Sequence, residues 1–419
     1  MKFNFFAFSA LRHRNFRIFW FGQFLSLCGS WMQNVAQGWL VLSVTNSAFL
    51  LGMTGAISGL PILAFSLVGG VMADRVNKRS LLIITQAVAA LLALILAVLI
   101  SLKIVIFWHI ALIAGFSGLV LAFDAPARQS FFAEIVPKED LTNAIAIQSA
   151  VFNITRIIGP ILAAFAIAGL GVASAFYLNS FSFLPAIIAL YFIRGNFRPR
   201  HKSERTIISS LFQGADYIWK NKRIRILTIQ ISLVSVFGMS GQVLMPVFAR
   251  DILHLGVRGL GHLMAFFGLG SLLGAVFVVL SSHFPRRERF VFIGGLVMSL
   301  SLILFALSRN ATLSYLLLIP AGWGLIIQAV TINSLLQNYA PDALRGRVMG
   351  FFTFTFMGMM PIGSFQAGLL AHLWGTPAAV VIGGIICLGA SLYLLSNHRL
   401  LFKDCQRETG IKKEKHLPE

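Results

Sequence analysis

Gly70-Val-Met-Ala-Asp74-Arg75-Val-Asn-Lys78-Arg79 is a short basic stretch wedged between two long apolar runs, and its reading decides the fold. The glycine and the single carboxylate end the first run, while Arg75, Lys78 and Arg79 lead into the second. Such a stretch reads as a tight turn at the cytoplasmic face of a membrane. Asp74 sits at the apolar edge where it can grip helix ends, and the cations stay on the wet side. Asn77 stands at the turn itself, and Asn tolerates the left-handed backbone that tight turns require.

Outward from the turn, 57% of 419 residues are hydrophobic and 11% are charged, against roughly 25% charged in ordinary soluble domains. The chain divides into twelve apolar stretches, near 16–42, 48–73, 80–100, 104–123, 142–168, 171–193, 224–249, 259–282, 290–307, 311–338, 345–372 and 376–397. Each can cross a hydrocarbon layer of ~30 Å as a helix. A lipid-exposed backbone must satisfy its own hydrogen bonds, which excludes loose strands. The expectation is an all-α membrane protein.

A formal charge of +20 would suggest nucleic acid in a soluble chain. Counting loops alternately, Lys103, Arg250, Arg258 and Arg309 fall on one side, Arg156 lies within a helix, and 29 of the 34 Lys and Arg share the side of both termini. That asymmetry predicts cytoplasmic termini, an even number of crossings and residence in the cell (inner) membrane. Scattered basic flanks without a folded aromatic-bearing patch argue against nucleic-acid binding. Lys2, Arg12, Arg14 and Arg17 precede an apolar run too long for a cleaved leader, so the first helix is expected to stay as an anchor. Cys28 and Cys387 fall in helices and Cys405 in the tail, which implies neither a disulfide framework nor a metal cluster.

The chain also repeats itself. Arg14-Asn-Phe-Arg17-Ile18 matches Lys222-Arg-Ile-Arg225-Ile226 at a shift of 208, which carries Asn34 onto Gln242 and Lys78-Arg79 onto Arg286-Arg287. A slightly smaller shift relates Pro137…Leu141 to Pro341…Leu344. The second copy of the basic turn has Ser282 and His283 in place of Asp74 and Arg75, so a carboxylate latch belongs to the first half. The organisation read from this is a six-helix bundle over 1–193, a cytoplasmic linker over 194–223, a second bundle over 224–398 and a tail over 399–419. The linker stretch 207–219 suits either an amphipathic surface helix or a solvated connection. Parallel repeats of this kind place their substrate between the halves at mid-membrane.

The G-x-x-x-D-R-x-x-K-R turn after the second apolar run resembles the signature loop of the major facilitator superfamily, with Asn77 where the family pattern has Gly. Asp124-Ala-Pro-Ala-Arg128, Glu134-Ile-Val-Pro137, Asn143-Ala, Arg156-Ile-Ile-Gly159-Pro160 and Leu344-Arg345-Gly346-Arg347-Val348 resemble the enterobactin-exporter-like branch, the transmembrane secretion effectors. The resemblance implies twelve helices in two pseudo-symmetric six-helix bundles. It also implies export of a small amphipathic compound, a siderophore or drug, by a monomer, with helices one, four, seven and ten lining the cavity. Gly159-Pro160, followed by Ala163 and Ala164, resembles the antiporter motif of the fifth helix, which normally carries paired glycines there.

Arg156 is the sharpest single residue, ~20 Å along the fifth helix and so near the bilayer midplane. A charge there costs at least ~3 kcal/mol, and two readings remain open: binding or coupling in the transport path, or a hydrogen-bond hub. Its counterpart region, around Met357–Met359, is uncharged. Trp31, Gln33, Asn34, Gln37 and Trp39 in the first helix, Asn153 in the fifth, Gln230 and Gln242 in the seventh, and Gln328, Thr331 and Asn333 in the tenth suit either a polar cavity or interhelical hydrogen bonds. All 14 Asp and Glu are assigned to loops or helix ends, with Asp74 and Asp124 nearest the membrane. His109, His262 and His372 read as interface residues, so the coupling ion stays open, with a proton as the candidate. Gating is expected from Gly70, Asp74, Arg75, Lys78, Arg79, Asp124 with Arg128 closing the fourth helix, and Arg345 opening the eleventh, near which Asp74 should dock. Positive-inside placement suffices for Arg347.

No phosphate loop, nucleophile elbow or paired metal ligands occur, so neither enzyme activity nor a cofactor is expected. The reading is a secondary active transporter that exports by rocking two bundles around a central site. Flipping or uptake of a lipid-like solute is the alternative within that class, and a non-transporting membrane sensor is the alternative outside it.

Overall fold

The computed structural model describes residues 5–195, 215–281, 284 and 288–396, with the side chains of 5–8, Leu67, Asp74, Asp342 and Ala343 outside the description. Helices make up the fold, and no strand occurs among the described residues. The first half holds α1 (Arg14–Thr45), α2 (Ala48–Arg75), α3 (Lys78–Ser101), α4 (Phe107–Glu134), α5 (Leu141–Leu170) and α6 (Val172–Phe192). The second holds α7 from Lys222, α8 (Gly256–Leu280), α9 (Glu288–Leu307), α10 (Ala311–Tyr339), α11 (Asp342–Gly358, continuing as Met360–Trp374) and α12 (Thr376–Ser396). Of the expected linker helix only 215–219 falls within the described residues, in a helical turn that reaches 220.

Eleven of these segments are long and apolar enough to cross a membrane. α1 is not one of them, although it has 32 residues. Gln23, Gln33, Asn34 and Gln37 dilute its apolar content, and those amides are what the first helix offers its neighbours. It packs along α5 and α6. A Cβ on Gly22 would lie 2.9 Å from the Pro185 carbonyl oxygen of α6, and one on Gly159 of α5 would lie 2.4 Å from Trp31 Cβ.

The basic turn differs from its left-handed expectation. Asn77 has φ −66° and ψ 110°, and its side chain accepts a hydrogen bond from Ser80 N at 3.2 Å. Asn is therefore present as the N-cap of α3, satisfying one of the backbone donors that a helix start leaves free. Ser47 caps α2 and Asn310 caps α10 in the same manner.

α7 is the irregular element. After Leu233 it passes through a π-turn at Val234–Gly238, short α-turns, and a second π-turn at Phe248–Ile252. Pro246 interrupts it between the two. α11 is broken once, at Met359 before Pro361.

The two halves meet through α2 against α11, α5 against α8, and α1 against α7. At the end remote from the chain termini a single apolar core runs through both halves, from Met32, Leu40 and Phe176 to Phe248, Leu302 and Phe305. At the end holding the termini the cores are separate. Phe16, Phe131 and Leu190 belong to one in the first half, and Ile224, Leu336 and Val348 to another in the second. The molecule is thus closed at one end and parted at the other.

Candidate functional site

The closed end is built from small residues that let helices touch. A Cβ on Gly52 of α2 would lie 2.4 Å from the Ser364 carbonyl oxygen and 2.6 Å from Gly368 Cα of α11. On the other flank a Cβ on Gly261 of α8 would lie 2.5 Å from Ala164 Cβ and 2.8 Å from the Pro160 carbonyl oxygen of α5. One turn pair further in, Gly59 meets Pro361 and Gly268 meets Ile157. Gly52 and Gly59 map onto Gly261 and Gly268 at a shift of 209, while Pro160 and Ala164 map onto Ser364 and Gly368 at 204. The two flanks are therefore copies of one interface. The same shift places the counterpart of Arg156 at Met360, just past the region read from sequence.

Between the flanks, α1 and α7 meet at equivalent positions. Gly38 faces Pro246, where an added Cβ would lie 3.1 Å from the proline Cγ. Arg250 donates to the Leu42 carbonyl oxygen at 2.6 Å and to Asn46 Oδ1 at 3.0 Å, and its Nε also reaches Asp251 at 2.6 Å. A guanidinium at the C-terminal end of α1 satisfies a free carbonyl and complements the helix dipole.

Arg156 lies directly under this closure. Its Cζ is 5.3 Å from the centre of the Phe267 ring of α8 and 5.9 Å from that of Trp31 of α1. Trp31 is held edge-on by Phe152 at 5.7 Å. Ring faces attract a cation by about 0.5–2 kcal/mol each, which offsets part of the desolvation but leaves the donors of the guanidinium unused. The described residues show no hydrogen bond or ion pair to it, and the side chain is half-buried rather than sealed. Pro160, one turn on, has no N–H for the Arg156 carbonyl, which turns toward Gly268 instead, 3.3 Å from a Cβ added there. Gly159 and Pro160 thus serve close helix contact on two sides of α5.

The amides divide. Asn34 is exposed and shares a face of α1 with Trp31 and Gly38, placing it between the halves. Gln242, half-buried, lies one turn before Pro246 on α7, and Gln37 is half-buried. Gln33 is taken up by Asn179 of α6, whose Nδ2 donates to it at 2.6 Å. Asn153 bonds its own helix at Ser149 O, and Asn333 accepts from Gln337. Gln230 donates to Ser391 of α12 and Gln328 to the Val291 carbonyl of α9, both fully enclosed in the second bundle. For these last two the interhelical role is the one the geometry supports, because their amides are spent inside one half. Thr331 is buried likewise, while Trp39 packs partly buried against the closed-end core.

The gating residues also divide. Nothing packs within 4 Å of a Cβ on Gly70, and Arg75 is exposed. Lys78 pairs with Glu134 of α4. Arg79 donates to the Tyr191 carbonyl at 2.7 Å and the Ile193 carbonyl at 3.3 Å, capping α6. Arg345 donates to the Gln337 carbonyl at 3.0 Å within its own half. The expected Asp74–Arg345 contact falls outside the described side chains.

Asp124 departs most from its expectation. α4 continues to Glu134, so Asp124 does not close the helix but lies ten residues, about 15 Å, inside its end. It is 3% exposed and pairs with Arg128. A buried carboxylate therefore does exist in the apolar region, contrary to the placement of all acidic residues at loops and ends. The sequence reading also missed its partners Thr85 and Gln86, together with Asn179 and Phe267. Amides inside otherwise apolar runs were the available signal for Gln86 and Asn179; nothing marked Phe267 among 38 phenylalanines.

With this geometry in hand, three comparisons agree. The profile of the transmembrane secretion effector family matches residues 6–416. The chain is 24% identical to the staphyloferrin A transporter of Staphylococcus aureus (strain NCTC 8325 / PS 47), over 94% of this chain and 99% of that one. It is 27% identical to the multidrug efflux pump Tap of Mycolicibacterium fortuitum, covering 84% and 87%, and 23% identical to the enterobactin exporter EntS of Shigella boydii serotype 4 (strain Sb227), covering 91% and 92%. Among solved structures the nucleoside transporter NupG superposes with a TM-score of 0.75 at 12% identity, over 91% of this chain and 98% of that one. A bacterial homologue of the lysosomal transporter Spinster, inward-facing and unoccupied, gives 0.72 at 13%, over 94% and 98%.

Proposed function

The chain belongs to the transmembrane secretion effector family of major facilitator transporters, and from that premise we propose that it exports a small amphipathic anion by ion-coupled alternating access. The observation that carries this reading is Arg156, a cation held between Trp31 of α1 and Phe267 of α8 with no hydrogen bond or ion pair among the described residues. An anionic or carbonyl-rich group supplies what the two rings cannot, namely acceptors for the guanidinium fork. Asn34 and Gln242 add uncharged hydrogen-bonding groups on the faces of α1 and α7 that meet between the halves.

Relatives named for siderophores and for drugs support a ligand of this size and mixed character. In this reading the termini are cytoplasmic, α1 supplies a twelfth crossing, and the structure is open toward the cytoplasm, ready to load cargo. Asp74 then acts when the other end closes, docking near Arg345.

The test is a strain lacking the protein, complemented with the wild-type chain or with Arg156→Met, and scored for sensitivity to a panel of anionic and cationic toxic compounds and for retained siderophore. Protection against anionic compounds, lost in the variant at equal membrane abundance, supports the reading. Equal protection by both chains removes Arg156 from the path. Reporter fusions at Asn46, Gly171 and Thr376 should read periplasmic, and one at Lys202 cytoplasmic. A cytoplasmic signal at Asn46 would sink the orientation.

A further inference from the structure

The repeat that copies the closed end changes at the other end of α7. At the shift of 208, Arg17 of α1 maps onto Arg225, but Trp20, Phe21 and Phe24 map onto Thr228, Ile229 and Ser232, each a smaller side chain. In the first half the aromatic group packs on itself, with Trp20 stacked on Phe24 at 5.9 Å and edge-on to Phe21 at 5.0 Å. In the second half the equivalent place is a cavity of about 440 Å³, bordered by Arg225, Thr228, Ile229 and Ser232 of α7, by Phe351 of α11 and by Trp219 at the linker end. That volume falls within the roughly 300–1,000 Å³ typical of small-molecule pockets.

The walls are held in place. Ile218 is 3% exposed in the core that contains Ile224 and Leu336, which seats the linker end on the second bundle. Asn221 Oδ1 accepts from Arg223 N and Ile224 N at 3.1 and 3.3 Å, capping α7. Arg225 then lies over Trp219, its Cζ 5.6 Å from the ring centre, and its Nη1 donates to the Trp219 carbonyl oxygen at 3.0 Å. The indole is nonetheless 64% exposed, so ring surface remains for a second planar group. Nε and Nη2 of Arg225 have no acceptor among the described residues. Asp216 also borders the cavity, but it pairs with Lys220 at 2.6 Å and does not cancel Arg225. Thr228 and Ser232 give their hydroxyl protons to the Ile224 and Thr228 carbonyls, at 2.8 and 2.7 Å, which leaves both oxygens as acceptors.

The register shows which way the cavity faces. α1 is an unbroken helix, so Arg17, Phe24, Trp31 and Gly38, each seven residues on from the last, lie along one face. Further along that face Trp31 meets Arg156 and Gly38 meets Pro246 of α7. The repeat equivalents in α7 are Arg225, Ser232, Met239 and Pro246. The cavity therefore lies on the side of α7 turned to the space between the halves, at the parted end. Phe24, the counterpart of Ser232, is two turns or about 10 Å from Trp31, which sets the cavity apart from the seat of Arg156.

We propose that this cavity is a second small-molecule site and that it takes a planar aromatic anion. The ring of the ligand lies against the indole of Trp219 and the Phe351 side chain. Its anionic group accepts from Nε and Nη2 of Arg225, whose flat fork suits a carboxylate or sulfonate. An N–H or O–H elsewhere on the ligand is accepted by Ser232 Oγ. The orientation toward the inter-half space favours a soluble compound over a phospholipid, which reaches a helix from its bilayer side. Service as a first stop for exported cargo rests on the exporter reading; the binding itself does not.

The experiment is equilibrium binding of naphthalene sulfonate to the purified full-length chain in lipid nanodiscs, with a naphthyl trimethylammonium cation of similar shape as the comparison. It is run in the Arg156→Met chain, so that the central cation contributes nothing. Sulfonate binding should persist there and exceed that of the cation by about tenfold or more. Adding Ser232→Phe installs the first-half residue, fills the cavity and should weaken sulfonate binding by about tenfold or more. Adding Arg225→Gln instead should weaken it about tenfold and erase the preference over the cation. Sulfonate binding that is absent from the Arg156→Met chain, or unchanged by both added substitutions, overturns the proposal. A phospholipid that co-purifies with the Arg156→Met chain and is displaced by Ser232→Phe assigns the cavity to lipid and also overturns it. Should Ser232→Phe fail to fold, Arg225→Gln decides alone, and unchanged binding overturns the proposal. No transport enters the measurement, so failure of the export assay leaves this result untouched.

Discussion

The α5–α8 flank and the α2–α11 flank are two copies of one interface, yet they differ where it matters. Both place glycines at equivalent positions, Gly261 and Gly268 on one side and Gly52 and Gly59 on the other, and the outer pair meets small residues, Ala164 and Gly368. Close approach of backbones is therefore what closure requires, and the repeat retains it twice. At the position just inside the contact, one copy has Arg156 and the other Met360. The first is seated between two aromatic rings, while Met360 is exposed and carries no charge. Closure needs no cation, so the charge at Arg156 is not explained by the contact that the two flanks share.

Breaking the asymmetry should give the largest effect. Arg156→Met makes the two flanks alike and should lower transport by about thirtyfold or more, the scale of removing one partner from a desolvated polar contact. Membrane abundance should stay near normal on quantitative blotting, since the ring contacts tolerate an unbranched thioether. Adding Met360→Arg to that variant moves the charge to the other copy and should not restore transport, because no two rings equivalent to Trp31 and Phe267 flank Met360 among the described residues. Recovery would show that the position of the charge within the cavity is immaterial.

A second variant tests the shared part. Gly52→Val places a side chain where Ser364 and Gly368 now touch α2. Overpacking of about 1–3 kcal/mol should shift the population about fivefold or more toward a state open at the end that is closed here. Thiol labelling of Ser47→Cys, in a chain with Cys405 replaced, reads this as faster modification. Gly261→Val should act alike on the opposite flank, and a large difference between the two would mean that the copies are not equivalent in energy.

The smallest effect is expected from Arg250→Met. It removes the hydrogen bonds to Leu42 and Asn46, but the side chain is a quarter exposed and also pairs with its neighbour Asp251. A few-fold rise in the same labelling rate is expected, diminishing at high salt where exposed charges are screened.

Helices, the repeat and the basic turn were readable because each rests on local chemistry: apolar length, a fixed shift in register, and charge at a membrane edge. The cavity was readable only in part. Arg156 stood out through the cost of its charge, and the structure places it between Trp31 and Phe267, with Asn34 exposed on the face of α1 between the halves. Gln230 and Gln328 looked the same on paper and turned out to serve packing, because which face of a helix meets its partner is set by tertiary contact. Asp124 was misplaced because a run of apolar residues ending at a carboxylate looks like a helix end. α4 continues through Arg128, which neutralises that carboxylate from one turn away. Asn77 shows the opposite limit, since a residue that suits two turn geometries leaves the choice to its neighbours.

Gly38 touching Pro246 and Arg250 reaching Leu42 are contacts between positions 208 residues apart, each residue meeting its own repeat equivalent. In a symmetric homodimer only residues on the two-fold axis can do this, so the contact is of the isologous kind that two identical six-helix subunits would form unaided. The covalent connection then mainly raises effective concentration rather than creating the interface. Two separately expressed halves, cut within the linker, should find each other in the bilayer and restore a working transporter.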